Sequence, residues 1–420
     1  MTLLADTARE ARHLARRRLF LVWLVVTVAI AALSVRGGLQ EVDAQRATIS
    51  EVILLDRAER EAIRAQQSDW GGLAYASFHF VYEEPSAFAF AALGQREREP
   101  WKHRVRALAL EGQIYERDAG NPVLAIVGNF DFAFFGSMVV PLLLIVLLHD
   151  LRSHEQESRR LSLLVASSGD ASSPFVLRAA LISIAVFLAS AVPLIVAGIM
   201  SGTSGLTLWL AVLALMIYVG MWAVLCYQLS KRDQNSPTLL GQLLGVWVML
   251  AIVFPSISRP IIENSVSIPS GADIQMTQRE AVNDAWDLPK EATMDAFVGR
   301  HPEWASYTAV ELPFEWKWYF AFQQVGDQAA ESLSTAYAEG RMHRDQLGWV
   351  LSLFSPPALF ERVYQLLANT DVRAQLAYEA RVRAYHSRLR HFYYPKLFLN
   401  EPFDPGLLDQ TPSYPSRSGE

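Results

Sequence analysis

The chain has 420 residues, of which 19% are charged, against roughly 25% in an ordinary soluble protein, and its mean hydropathy is positive at +0.16. So little charge excludes a disordered chain, and the net charge of −6 argues against a polyanion partner, so no nucleic acid is expected. A single cysteine, Cys226, excludes an internal disulfide framework and a cysteine-based zinc site.

The missing charge is concentrated in five runs that contain no Asp, Glu, Lys or Arg: 19–35, 132–148, 179–200, 206–229 and 238–257. They hold 17, 17, 22, 24 and 20 residues. A bilayer core about 30 Å thick needs about 20 helical residues, with 17–25 the usual range. Helices are the natural spanning form, because backbone groups in lipid must be paired internally. Pro141, Pro193 and Pro255 fall inside these runs. They are tolerable where a neighbouring helix or a hydroxyl satisfies the freed carbonyl. Buried helices of a soluble core are the alternative, but one soluble core does not require five such runs. The expected fold class is an all-α membrane protein with about five transmembrane helices and two large, mainly helical extracytoplasmic segments.

Residues 1–18 carry Arg9, Arg12, Arg16, Arg17 and Arg18 and form a basic, cytoplasmic N-terminus. The run 19–35 is longer than the 7–15 residues usual for a signal-peptide core and lacks an A-x-A cleavage site, so it is expected to be an uncleaved anchor. The connector 149–178 carries Arg152, Arg159, Arg160 and Arg178, and the loop 230–237 carries Lys231 and Arg232. The 201–205 turn has no basic residue. If the helices alternate, all three basic segments share one side, the cytoplasm. Residues 132–257 then hold helices two to five, segments 36–131 and 258–420 lie outside, and so does the C-terminus.

In the first outer segment, 40–70 reads as a long helix with one apolar face, followed by a loop around Glu83-Glu84-Pro85-Ser86 and a second helix-like stretch near 101–117. The second outer segment is predicted to be helical over about 275–300, 318–345 and 356–392. Turn signals stand at Pro269-Ser270-Gly271, Pro289, His301-Pro302 and Pro313, and the 400–420 tail is loose. Segment 347–368 is apolar, but it carries Pro356-Pro357, Glu361 and Arg362. A proline pair breaks a helix and mid-bilayer charge is expensive, so this segment is expected at a surface or interface. With no cysteine, the outer segments must be held by packing, against each other or the membrane.

The sequence contains no G-x-x-x-x-G-K-[ST] phosphate loop, no H-E-x-x-H and no G-x-S-x-G. His386 and His391 are five apart, which does not stack two rings on one helix face. The aromatic group Trp316, Trp318, Tyr319, Phe320 and Phe322 suits a core or a membrane interface better than ligand stacking. The charge-free runs hold no acid or base to relay protons or bind a cation. Neither cofactor nor metal is expected in this chain, and any work done must come from a partner.

The connector 149–178 is the most informative stretch. Asp150, Glu155 and Glu157 precede Arg159 and Arg160, then Leu161, Leu163 and Leu164 follow. Such an amphipathic element can lie at the membrane surface and present charge to a cytosolic partner; a plain solvated connector is the alternative. Glu155-x-Glu157-x-x-x-Leu161-x-Leu163-Leu164 resembles the E-x-E-x-G-T-L-x-x-L signature of ABC-2 type transporter permeases. In that family the element contacts the ATPase subunit. Here Arg159 and Arg160 stand where Gly and Thr are common.

A closer resemblance is to the DUF3526-containing branch of those permeases. It is carried by Pro85-Ser86-Ala87-Phe88-Ala89 leading to Gly94, by Asp131 before the second run, and by Pro141-Leu142 within it. Ser355-Pro356-Pro357-Ala358-Leu359 and Leu367-Ala368-Asn369-Thr370-Asp371 carry it further. The resemblance implies a permease subunit of an ABC-type exporter in the bacterial inner membrane, driven by a separate cytosolic ATPase and paired with itself or a second permease. It assigns ATPase coupling to Asp150, Glu155, Glu157, Arg159, Arg160 and Leu161. The competing expectations are a non-transporting assembly or sensor protein whose outer segments bind an envelope partner, and a membrane enzyme, for which no constellation is visible.

Overall fold

The computed structural model describes residues 3–115, 130–157, 173–232 and 234–414. Helix α1 (Leu3–Arg16) leads into α2 (Arg18–Gln66), an unbroken helix of 49 residues. The outer strand and helix elements α3 (Trp70–Ala76), β1 (His79–Tyr82), β2 (Lys102–Val105) and α4 (Glu111–Tyr115) follow. The bundle then continues with α5 (Phe132–Leu148), the short α6 (Ser153–Glu157), α7 (Ser173–Met200), α8 (Gly205–Ser230) and α9 (Ser236–Ser265). The second outer segment supplies α10 (Gly271–Asp284), α11 (Lys290–Val298), α12 (Trp316–Ser352), α13 (Pro356–Ala368) and α14 (Val372–Phe398).

Each charge-free run lies within one helix. Among the described residues, α2, α7, α8 and α9 are long and apolar enough to cross a membrane, and α5 is a shorter apolar helix. Val140, Leu144, Ile145 and Leu148 of α5 are buried against Ile182 and Val186 of α7 and against Leu215, Val219 and Trp222 of α8. The opposite faces of the surrounding helices are apolar too: Val192, Val196 and Ile199 on α7 and Leu206, Trp209 and Met216 on α8 are exposed. Helices that are apolar all round need either protein or lipid on every side. Among the described residues the chain is therefore an all-helical membrane protein apart from one two-stranded sheet.

That sheet corrects the expectation of a helix near 101–117. Residues 102–105 form β2, paired antiparallel with β1 in the register His79 to Val105 and Tyr82 to Lys102, and helix returns only at α4. The K-H-R-V tetrapeptide alternates, with His103 and Val105 buried and Arg104 exposed, and a period of two is a strand signal. Residues 116 and 117 lie outside the described region.

The two segments that lie outside the helical bundle pack into one unit, the outer unit of the molecule. Trp70, Leu73 and Ala107 share a core with Phe297, Trp318, Tyr394 and Phe398, and Val81, Val105 and Leu110 share another with Tyr378, Val382 and Leu389. Polar contacts tie the same partners. Asp327 accepts from the N–H groups of Leu110 and Glu111, and Arg383 grips Glu111 at 2.8 Å. Where one helix is expected over 356–392, there are two. Asn369, at φ 56°, ends α13 in the left-handed region that Asn tolerates, and the Asp371 side chain caps α14 by accepting from Ala374 N–H.

Segment 88–93 joins the outer unit to the bundle. Phe88, Ala89, Phe90, Ala91, Ala92 and Leu93 are all buried with the bundle residues. A glycine makes this approach feasible, because a Cβ at Gly38 of α2 would sit 1.9 Å from the Phe90 carbonyl oxygen.

Candidate functional site

At the end of the bundle away from the fused 36–115 and 266–414 segments, three charged side chains from distant parts of the chain meet. Arg178, near the start of α7, donates from Nε to Glu10 of α1 and from Nη1 to Glu155 of α6, both at 3.0 Å. All three side chains are at most 7% exposed. Arg is suited to this, since its planar fork serves two carboxylates without losing its charge. The Arg152 guanidinium lies 5.3 Å from the Phe175 ring centroid beside the cluster, a cation–π contact that covers it further. The cluster pins the N-terminal helix and the connector to the foot of a long apolar helix.

The connector residues singled out in the sequence are thereby separated. Asp150 is half-buried in the turn after α5. Glu155 faces inward, paired with Arg178, rather than outward. Glu157 is the last residue of α6. Arg159, Arg160 and Leu161 lie outside the described residues. Sequence reasoning counted Arg178 only as a topological charge and did not single out Glu10. An arginine one residue before a charge-free run, with an acid on the facing amphipathic helix, is the signal that points to such a pair.

At the outer end, α13 is inserted between the tops of α5, α8 and α9. Tyr364 donates to the Ala211 carbonyl at 2.8 Å, and Phe360 stacks against Tyr218 of α8 with ring centroids 4.6 Å apart. Ser137 of α5 donates to Glu361 Oε1 at 2.7 Å. Thus the part of 347–368 expected at a surface packs against the bundle itself, with Pro356 and Pro357 starting a helix rather than breaking one. Proline is well placed in a first turn, whose N–H groups have no helical partner.

Two apolar helices are irregular where they meet this insertion. Both α5 and α9 contain a π-helical turn, at Phe135–Val139 and Met249–Val253. Pro141 has no N–H for the Ser137 carbonyl four residues back, and Tyr218 Oη donates to that oxygen at 2.7 Å. In α9, Phe254 N–H goes to Met249, and Pro255 has no N–H for Leu250; Ser355 Oγ donates to the Leu250 carbonyl at 2.7 Å. π-Helical turns are frequent at functional sites, and here each lies beside α13.

A cleft of about 1360 Å³ opens next to this insertion, with Asp131, Phe254, Arg259, Glu361 and Arg362 in its wall. Asp131 caps α5 by accepting from Phe134 N–H and also accepts from Leu93 N–H; burial pushes its carboxyl up to about 6. Arg362 pairs with Asp345 at 2.8 Å and Arg259 with Glu263 at 2.9 Å, so the wall is of mixed charge.

The histidine pair and the aromatic group have structural partners. His386 is buried in α14 and its Nε2–H donates to the carbonyls of Arg106 and Leu108, at 2.9 and 2.8 Å. His391 bonds the Ser387 carbonyl. Trp318, Phe320 and Phe322 are core residues of the outer unit, and Trp316 and Tyr319 pack against it.

Residues 273–416 match the family model of a domain of unknown function, DUF3526. That region covers about a third of the chain and includes α11, α12, α13 and α14. No curated protein and no solved structure matches the chain.

Proposed function

We propose that the chain is the permease subunit of an ABC-type exporter, powered by a separate cytosolic ATPase. The observation that carries this is the buried Glu10–Arg178–Glu155 cluster. It fastens the N-terminal helix and the connector to the foot of α7, so a force applied to that platform is passed directly to an apolar helix. A chain without a phosphate loop needs such a platform to receive work from outside itself. The acidic connector's likeness to ABC-2 permeases and the DUF3526 match at 273–416 support the same reading.

In this reading, five helices cross a bacterial inner membrane, with α5 as the shortest. The N-terminus and the connector are cytoplasmic, and the fused outer unit and the C-terminus are extracytoplasmic. The chain pairs with itself or with a second permease, carries no cofactor and catalyses no reaction of its own. Glu155 positions the connector, while Asp150, Glu157, Arg159, Arg160 and Leu161 supply the surface the ATPase meets.

The test is purification of the intact protein from its native membranes in mild detergent, with identification of whatever accompanies it. An ABC ATPase is expected, and Glu157→Lys is expected to release it without lowering the melting temperature. A folded preparation with no ATPase rejects the reading, and an envelope protein bound in its place leaves the assembly or sensor alternative.

A further inference from the structure

We propose that the corner between α12 and α13 is buried in the outer leaflet of the bilayer, with lipid acyl chains covering its exposed apolar side chains. The inference rests on α9 being a membrane span, and it adds a membrane-embedded element that does not itself cross.

Three contacts fix the depth of the corner. α12 runs down alongside the end of α9 in the opposite direction. Arg344 donates to the carbonyls of Glu263 and Val266 at 3.1 and 2.9 Å. Ten residues on, the Phe354 ring lies 6.3 Å from that of Phe254. Ser355 then bonds the Leu250 carbonyl. Leu250 lies eight residues before Ser258, about 12 Å of helix. The charge-free run of α9 ends at 257, so the corner reaches well below the level at which charge returns. Half of a hydrocarbon core is about 15 Å.

The chain is composed for that depth. From Gln346 to Phe360 no residue is charged, while Asp345 and Glu361 flank the run. Leu347 and Val350 are exposed on α12, and Leu353 and Phe354 at the turn are 65% and 63% exposed. Ile257 and Ile261 of the neighbouring α9 are exposed as well. Trp349 stands where the run begins, a position that suits an amphipathic ring at the lipid–water boundary.

The backbone N–H groups of the corner are also satisfied within the chain. Leu353, Phe354 and Ser355 N–H groups donate to Val350, Leu351 and Ser352 carbonyls. Pro356 and Pro357 have no N–H. Ala358 N–H is capped by Ser355 Oγ, and Leu359 N–H donates to the Ser355 carbonyl. Every donor from 353 to 359 is therefore either paired or absent. A turn in water does not need this, but a chain reversal inside hydrocarbon does.

The test uses the full chain in nanodiscs with Cys226 replaced by Ala and one new cysteine carrying a bimane label. Leu353→Cys and Phe354→Cys are compared with Val192→Cys on the exposed face of α7 and Met276→Cys on the exposed face of α10. Labels at 353 and 354 are expected to lose fluorescence to brominated acyl chains as Val192→Cys does, and to resist aqueous iodide, which quenches Met276→Cys. If Phe354→Cys does not fold, Leu353→Cys carries the test, since its side chain is the more exposed. Iodide quenching at 353 with lipid quenching at 192 overturns the proposal alone, and iodide quenching at both overturns the membrane span beneath it. Protection from both quenchers would put protein over the corner, a second copy included, and also overturns it.

Discussion

Ser355 Oγ donates to the carbonyl of Leu250 across the α9–α13 contact at 2.7 Å, in place of the N–H that Pro255 lacks. The same hydroxyl accepts from Ala358 N–H. One small side chain thus serves a carbonyl in a long apolar helix and the first free donor of the inserted one.

Replacing it tests the arrangement. Ser355→Ala leaves a buried carbonyl unpaired and removes a helix cap, and each loss is worth about 1–2 kcal/mol. The melting temperature in detergent is expected to fall, and Ser355→Thr is expected to restore most of it. Tyr218→Phe, which strips the donor from the Ser137 carbonyl, is expected to fall by the effect of one such bond.

Arg178 presents a different case, because it balances two buried carboxylates. Arg178→Ala is expected to destabilise by about 3–5 kcal/mol, since both acids are left without a cation. The triple change Glu10→Gln, Arg178→Met, Glu155→Gln removes all three charges and is expected to be much milder. Limited trypsin digestion reads this directly. Cleavage at Arg9 or Arg12 in α1 should accelerate in the single variant and stay slow in the triple one.

His79 makes the outer unit sensitive to acid. Its ring is buried, neither ring nitrogen has a hydrogen-bond partner among the described residues, and burial lowers its pKa from 6.5 to about 3. Between those two values the unfolded chain takes up a proton that the folded one refuses. Stability is then full above pH 6.5 and lost progressively as the pH falls toward 3. His79→Phe keeps the ring contact with Tyr385 and removes the proton site, so its melting temperature should fall less steeply across that window. An unchanged slope would assign the acid sensitivity to other groups, such as His386.

Gly38 and Gly37 give a paired test on one helix. Gly38→Ala places a Cβ into the Phe90 carbonyl, whereas Gly37→Ala brings one to 3.3 Å from the Phe130 carbonyl. The first is expected to cost about 1–3 kcal/mol by overpacking. The second is expected to be close to neutral, as a shift of a few tenths of an ångström is offset by the better helix propensity of Ala.

The apolar helices were legible in the sequence because absence of charge is a one-dimensional signal: the five runs fall inside α2, α5, α7, α8 and α9, four of which are long enough to cross a membrane. The turn signals were legible for the same reason, with Ser270 capping α10 and Pro289 preceding α11. What spacing could not convey was partnership at long range. Glu155 and Arg178 are 23 residues apart, Glu10 is 168 from Arg178, and Ser137 meets Glu361 across 224. A search for acids confined to the charge-free runs passes over Glu361, because it enters the bundle from a helix outside them. The Pro356-Pro357 pair was read as a helix breaker because its effect depends on position: harmful in the middle of a helix, helpful in its first turn. The K-H-R-V strand was hidden by its length, since four residues show barely two periods.

α2 bears on how a disturbance would be transmitted. It begins next to the α1 helix that Arg178 holds, runs along the bundle and continues to Gln66 beside the outer unit without a proline or a break. At 1.5 Å per residue it is about 74 Å long. Only its first part is apolar, so the remaining 31 residues stand clear of the charge-free run as a stiff mast. A tilt of ten degrees at its base would sweep its far end sideways by roughly 8 Å over those last residues. The outer unit, braced on the mast through Gly38 and through Asp56, which accepts from Phe80 N–H, would be carried with it. One continuous helix thus joins the end of the bundle that holds the Arg178 cluster to the strand that carries Phe80, with no hinge between them to absorb a displacement.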